Sequence, residues 1–114
     1  MSDAIDITPS QMKTLRALLR RHLPGVAAWA YGSRVKGTSR TASDLDLVVF
    51  ASKDQQPAVS ELREAFEESN LPFRVDLFVW NEVPDKFRKT IEKEHVVVRE
   101  EAERGRTNGG GKQP

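Results

Sequence analysis

The chain has 114 residues, 18 basic and 17 acidic, a net charge of +1 and 38% hydrophobic residues. Its length suits one domain with a modest core, and its balanced charge excludes a general attraction to nucleic acid or an anionic membrane, so no direct nucleic acid binding is expected. The lack of cysteine excludes disulfides, thiolate zinc sites and cysteine nucleophiles. The acidic start MSDAIDITPS has no apolar core of a secretory signal, and no apolar run approaches the ~20 residues of a membrane helix, which predicts a cytoplasmic protein.

Thr8-Pro9-Ser10-Gln11 is a helix-start signal, with Thr8 as N-cap, Pro9 as first helical residue and Gln11 as capping-box partner. Met12, Leu15, Leu18, Leu19 and His22 recur at spacings of three and four, which predicts an amphipathic helix to about Arg21, ended by Pro24-Gly25. Residues 26–31 read as a short strand, broken by Gly32-Ser33. Residues 33–36 read as a single helical turn stopped by Gly37, 38–43 as a polar loop, 45–50 as a second strand and 52–56 as a linking loop.

Residues 57–70 read as a second long helix, with Val59, Leu62, Ala65 and Phe66 on one stripe. Leu71-Pro72 turns the chain into a third strand over 73–80. Asn81 and Pro84 lead to a third helix, where Phe87 and Ile91 form an i,i+4 apolar pair, and Val96 to Val98 adds a short edge strand. This order predicts a small α/β (α+β) domain over residues 1–98, with its helices packed on one face of the sheet. Residues 99–114 carry no large apolar side chain and three consecutive glycines, and are expected to be a frayed helical start followed by a disordered tail.

The stretch SDLDLVVF holds the chemistry. Residues two apart in a strand share a face, so Asp44 and Asp46 point one way while Leu45, Leu47 and Val49 point into the core. Two carboxylates roughly 6–7 Å apart along one face repel each other, and strands disfavour Asp. A divalent cation neutralises such a pair, and Mg²⁺ takes one or two carboxylates plus substrate phosphates. Asp76, in FRVDLFVW, joins them if its strand lies beside the second. Three such carboxylates suit two metal ions about 4 Å apart. Gly32 lets the backbone approach a phosphate, Ser33 adds a hydroxyl donor, and Arg34 and Lys36 bring positive charge.

On these residues, GSRVKGTSRTASDLDL resembles the signature of the DNA polymerase β-like nucleotidyltransferases: a Gly-Ser turn, an Asp-x-Asp strand and a later single Asp. The compact size and the wording YGSR…SDLDLVV are similar to the minimal nucleotidyltransferases of prokaryotes, over about residues 8–98. The resemblance implies the polymerase β-like fold and transfer of AMP from ATP with two Mg²⁺ ions. It makes Asp44, Asp46 and Asp76 the catalytic, metal-holding residues, and Gly32, Ser33, Arg34 and Lys36 the phosphate-binding ones. It implies a hetero-oligomer with a small helical HEPN protein, and an antitoxin that attaches AMP to a tyrosine of a toxin. A domain this bare leaves its sheet face and one edge exposed, which favours a completing partner and a homodimer.

Two other readings share these residues: nucleotidyl transfer to a small hydroxylated molecule, and a module that neutralises its partner sterically without turnover. His22 and His95 lie near helix C-termini, where an imidazole suits the helix dipole, and read as structural. Trp29 and Trp80 read as packing residues.

Overall fold

A computed structural model describes residues 5–36 and 43–100, with Lys36 described by its backbone alone. Most of the expected polar loop, and the tail from residue 101, lie outside the described residues. The elements are α1 (Pro9–His22), β1 (Ala28–Tyr31), α2 (Ser33–Lys36), β2 (Leu45–Val49), α3 (Gln56–Glu68), β3 (Val75–Val79), α4 (Asp85–Lys93) and β4 (Val96–Arg99). None of the described helices is long and apolar enough to cross a membrane.

The first helix starts where its capping chemistry dictates. Gln11 N–H donates to the Thr8 hydroxyl at 3.1 Å, and Thr8 N–H donates to Gln11 Oε1 at 2.9 Å. The same device recurs at Ser52, whose N–H donates to Gln55 Oε1 at 2.9 Å. The expected linking loop there is instead a 3₁₀ turn, Lys53–Gln55, running directly into α3. Ser52 and Gln55 have the same spacing as Thr8 and Gln11, so this start was present in the sequence.

The four strands lie in the order β3-β2-β1-β4. β1 pairs antiparallel with β2 and β4, and β2 pairs parallel with β3, making a small mixed sheet. Alternation sends Ala28, Ala30, Leu45, Leu47, Val49, Leu77, Val79 and Val98 to one face, where all are buried. Leu15 and Leu19 of α1 and Val59, Leu62 and Phe66 of α3 close over that face as one core. The third long helix is placed differently: Phe87 and Ile91 of α4 line a groove with Tyr31, Asp46 and Phe78, which project from the opposite face. Their apolar pairing is therefore uneven, with Ile91 buried and Phe87 53% exposed.

β4 extends to Arg99, one residue beyond the domain boundary read from the sequence. The Arg99 Nη1 donates to the Leu23 carbonyl at 3.0 Å, which ties the strand to the end of α1. The third strand is shorter than expected, starting at Val75. Phe73 is drawn out of it, buried under a guanidinium whose carbon sits 4.3 Å from the ring centroid.

Equilibrium urea unfolding ranks these contributions. Leu47→Ala, a fully buried central-strand truncation, is expected to cost about 3 kcal/mol, and Thr8→Ala, a lost cap, about 1 kcal/mol. Equal losses would show that the central strand does not anchor the core.

Candidate active site

The site forms at one end of the sheet, where β1 finishes and β2 and β3 begin. The backbone turns at Gly32 with φ of +88°, a conformation that side-chain-bearing residues rarely adopt. Space gives a second reason for glycine. A Cβ there would collide with Asp46 Oδ2 and come within 3.3 Å of Asp46 Cγ. Ser33 opens the single turn α2, closed by Val35 N–H donating to the Gly32 carbonyl at 3.0 Å.

Asp46 pairs across the sheet with Tyr31 on one side and with Asp76 on the other. Neighbouring strands lie about 4.8 Å apart, so the two carboxylates share a face as direct neighbours. Burial, then the charge of Asp76, then that of Asp44 push the Asp46 carboxyl up to about 6. Asp44 lies just before β2 and is exposed. Among the described residues no group of three acidic or imidazole side chains stands together as a metal cluster, while the charge of Asp44 still reaches Asp46. Asp46 and Asp76 form the inner pair and Asp44 stands at its mouth.

That inner pair fits a magnesium ion by its donor chemistry. Two adjacent oxygen ligands with mutual repulsion are what a hard cation relieves, and Mg²⁺ usually takes only one or two carboxylates, with phosphates supplying the rest. Asp76 already has one cationic neighbour, since Arg74 Nε lies 3.1 Å from its Oδ1. Arg74 is 75% exposed and Asp76 26%, so this ion pair is readily exchanged for another.

Arg34, expected at the phosphates, has its guanidinium committed to the fold. It is 7% exposed. Its Nε donates to the Ser43 carbonyl at 2.9 Å, its Nη1 donates to the Asp6 carbonyl at 2.8 Å, and its plane covers Phe73. Asp6 N–H returns a bond to the Arg34 carbonyl at 2.8 Å. The Lys36 side chain lies outside the described residues.

Tyr31 belongs to the site although the sequence reading gave it no role. Burial, with the charges of Asp46 and then Asp76, pushes its phenol up to about 12, so it keeps its proton and remains a donor. Strand alternation could have found it: with Ala28 and Ala30 in the core, Trp29 and Tyr31 must share the face of Asp46. Trp29 packs edge-on with Phe50 and Trp80, at centroid distances of 4.7 and 5.6 Å, and stacks on His95 at 3.8 Å. His95 Nδ1 is 2.8 Å from the Ile91 carbonyl. His22 Nδ1 is 3.9 Å from Glu61 Oε1. Both histidines lie in structural surroundings.

Two grooves reach the acidic pair. One, of 570 Å³, runs from Tyr31 and Asp46 over Phe78 to α4. The other, of 390 Å³, follows the outer edge of β3 past Arg74 and Asp76.

Comparison with known proteins places this geometry. Residues 13–104 match the family described as Polymerase beta, Nucleotidyltransferase. The chain is 39% identical over 97 residues to the "Probable protein adenylyltransferase MntA" of Haemophilus influenzae, a match spanning 84% of this chain and 85% of that one. A solved toxin–antitoxin complex, MntA–HpeT, contains a chain with the same fold, at a TM-score of 0.63 and 23% identity over 77% of this chain and 71% of that one. The fold recurs in a tri-AMPylated Shewanella oneidensis HEPN toxin in complex with MNT antitoxin, at a TM-score of 0.50 and 13% identity over 80% of this chain and 71% of that one. The turn at Gly32, the strand pair behind it and these matches agree: the chain belongs to the polymerase beta nucleotidyltransferase family and is a nucleotidyltransferase.

Proposed function

We propose that this nucleotidyltransferase moves AMP from ATP to a hydroxyl, a tyrosine of a helical HEPN partner, and acts as the antitoxin of that pair. The observation that carries this reading is the direct register of Asp46 and Asp76 beside the Gly32-Ser33 turn. The name of the Haemophilus relative and the AMPylated HEPN toxin bound to an MNT antitoxin support the acceptor class.

Gly32 and Ser33 would receive the β- and γ-phosphates, since the glycine brings main-chain N–H groups close. Asp46 and Asp76, with Asp44 at the mouth, would hold magnesium, which when bound neutralises the triphosphate and the leaving pyrophosphate. Asp76, on the outer strand, would take the acceptor proton. The acceptor oxygen bonds to the α-phosphorus, the bond from that phosphorus to the bridging oxygen breaks, and pyrophosphate leaves with the electron pair. The Tyr31 hydroxyl is a fixed donor beside this centre. We assign Arg34 to positioning, because its bonds to Ser43 and Asp6 hold the entry to β2. Lys36, one turn beyond the glycine, stays a candidate phosphate contact.

Intact mass measurement after incubation with ATP, Mg²⁺ and the co-expressed partner tests this. AMP adducts are expected on the partner, with the rate falling at least ~100-fold in Asp46→Asn and in Asp76→Asn. An unmodified partner that both variants neutralise as well as the parent would leave only steric binding. AMP on an added small hydroxylated compound, with none on the partner, would move the acceptor to another class.

Stability gives an independent check. Folding lifts the Asp46 carboxyl from 3.8 to about 6. Between those values the folded state keeps a proton that the unfolded chain has released, so stability falls as pH rises through that window. Asp46→Asn removes the loss. Because Asp46 is only half-buried, water screens the effect to about 1 kcal/mol. In chelator-treated protein the variant is expected to be more stable by that amount at pH 7, with the gap closing by pH 4. A gap that ignores pH would show that burial and the neighbouring carboxylates do not raise Asp46.

A further inference from the structure

We infer that the groove along the outer edge of β3 is the acceptor site, and that it takes a hydroxyl side chain carried on an acidic peptide segment, with Arg74 as its specificity-determining residue. This rests on the proposed transfer of AMP.

The first step is direction. Gly32 ends β1, Asp46 lies on β2 and Asp76 on β3, and these strands are neighbours in that order. Leaving group, phosphorus and attacking oxygen must lie roughly in line. With the pyrophosphate held at the β1 end, the hydroxyl enters from beyond Asp76. The larger groove does not satisfy this, since it spreads over the sheet face from Asp46 toward Phe87. The 390 Å³ groove does, because Asp76 is part of its wall and β3 is an edge strand. That volume suits a single side chain or short segment.

The second step is chemistry. Phe66, Leu71 and Phe73 give the groove an apolar floor, and Arg63, Arg74, Glu67 and Asp76 are its charged members. In the free protein Arg74 is engaged by Asp76 at 3.1 Å. In the reaction the Asp76 charge would be taken up by the cation it holds and by the acceptor proton, and Arg74 would then lose that partner. Two arginines then face one glutamate, and the mouth becomes net basic. Arg74, 75% exposed, is then the guanidinium with the freedom to pair with an incoming carboxylate.

The test uses the full chain with Mg²⁺ and a non-hydrolysable ATP analogue for binding, ATP replacing the analogue for turnover, and a short tyrosine peptide flanked by glutamates, with the same peptide flanked by lysines as comparison. The glutamate peptide is expected to shift the amide resonances of residues 71–78, and the lysine peptide to leave them in place. Arg74→Gln should weaken the glutamate peptide about tenfold, and Arg74→Lys should keep most of the affinity. In AMP transfer to that peptide, Arg74→Gln should raise the peptide KM by a similar factor while the ATP KM holds. Equal binding of both peptides, binding of neither, shifts elsewhere, or an unchanged peptide KM in Arg74→Gln would overturn the inference. Binding at 71–78 with no AMP transfer to any acceptor would leave the groove standing and remove the proposed reaction instead.

Discussion

Two like charges held in register are the constraint around which this domain is arranged. A parallel pair sets residues side by side, and Asp46 beside Asp76 is an unfavourable pairing. The opposite face decides the outcome. Leu45, Leu47 and Val49 of β2 and Leu77 and Val79 of β3 are all buried. Each such side chain contributes about 1.5–3 kcal/mol by leaving water, against about 1 kcal/mol of screened repulsion. A slip of one residue would relieve the carboxylates only by turning those side chains into solvent and an aspartate into the core. The apolar face thus enforces a charge conflict on the polar face, and the conflict is the site's capacity to attract a cation.

A second constraint keeps the ends of the strands in place where the ladder no longer reaches. Arg34 joins the segment before α1 at Asp6, the entry to β2 at Ser43 and the entry to β3 at Phe73. Ser43 directly precedes Asp44, and Phe73 directly precedes Arg74, so one guanidinium sets two approaches to the acidic pair. A buried cation is tolerable only when its donors find partners, and main-chain carbonyls take its Nε and Nη1 here. Position alone, two residues after the turn glycine, predicts this arginine at the anion. Burial and hydrogen bonding commit its Nε and Nη1 to the chain segments that lead to α1 and β2.

The parts legible in the sequence were those governed by period and local chemistry. The Thr8 cap, the strand carrying Asp46 and the polar position of Asp76 follow from spacing alone, and so does their shared face once β3 lies beside β2. What spacing cannot carry is the direction of a long side chain. Arg34, Arg63 and Arg74 are alike in composition, yet one is buried, one covers a strand edge and one reaches over a carboxylate. The exposure of Asp44 likewise depends on where β2 begins. The same holds for α4. Its periodicity gave a helix and a Phe87–Ile91 pair, but not the face of the sheet on which that pair would stand.

The sheet edges narrow how an acceptor can be read. Arg63 gives Nε and Nη2 to the Leu77 carbonyl of β3, at 3.3 and 2.9 Å, and Arg16 gives Nε to the Val98 carbonyl of β4 at 3.1 Å. Both outer strands therefore have an arginine, drawn from α3 and α1, on a main-chain acceptor that an added strand would need. A peptide entering beside β3 meets that covered carbonyl before it can form a ladder. Main-chain pairing is nearly blind to sequence, so its obstruction shifts recognition onto side chains: the apolar floor at Phe66 and Phe73, and the charge of Arg74 at the mouth. An enzyme whose reaction needs only a hydroxyl and a phosphate gains its selectivity from that shift, because the same carboxylates would otherwise serve any hydroxyl that reached them.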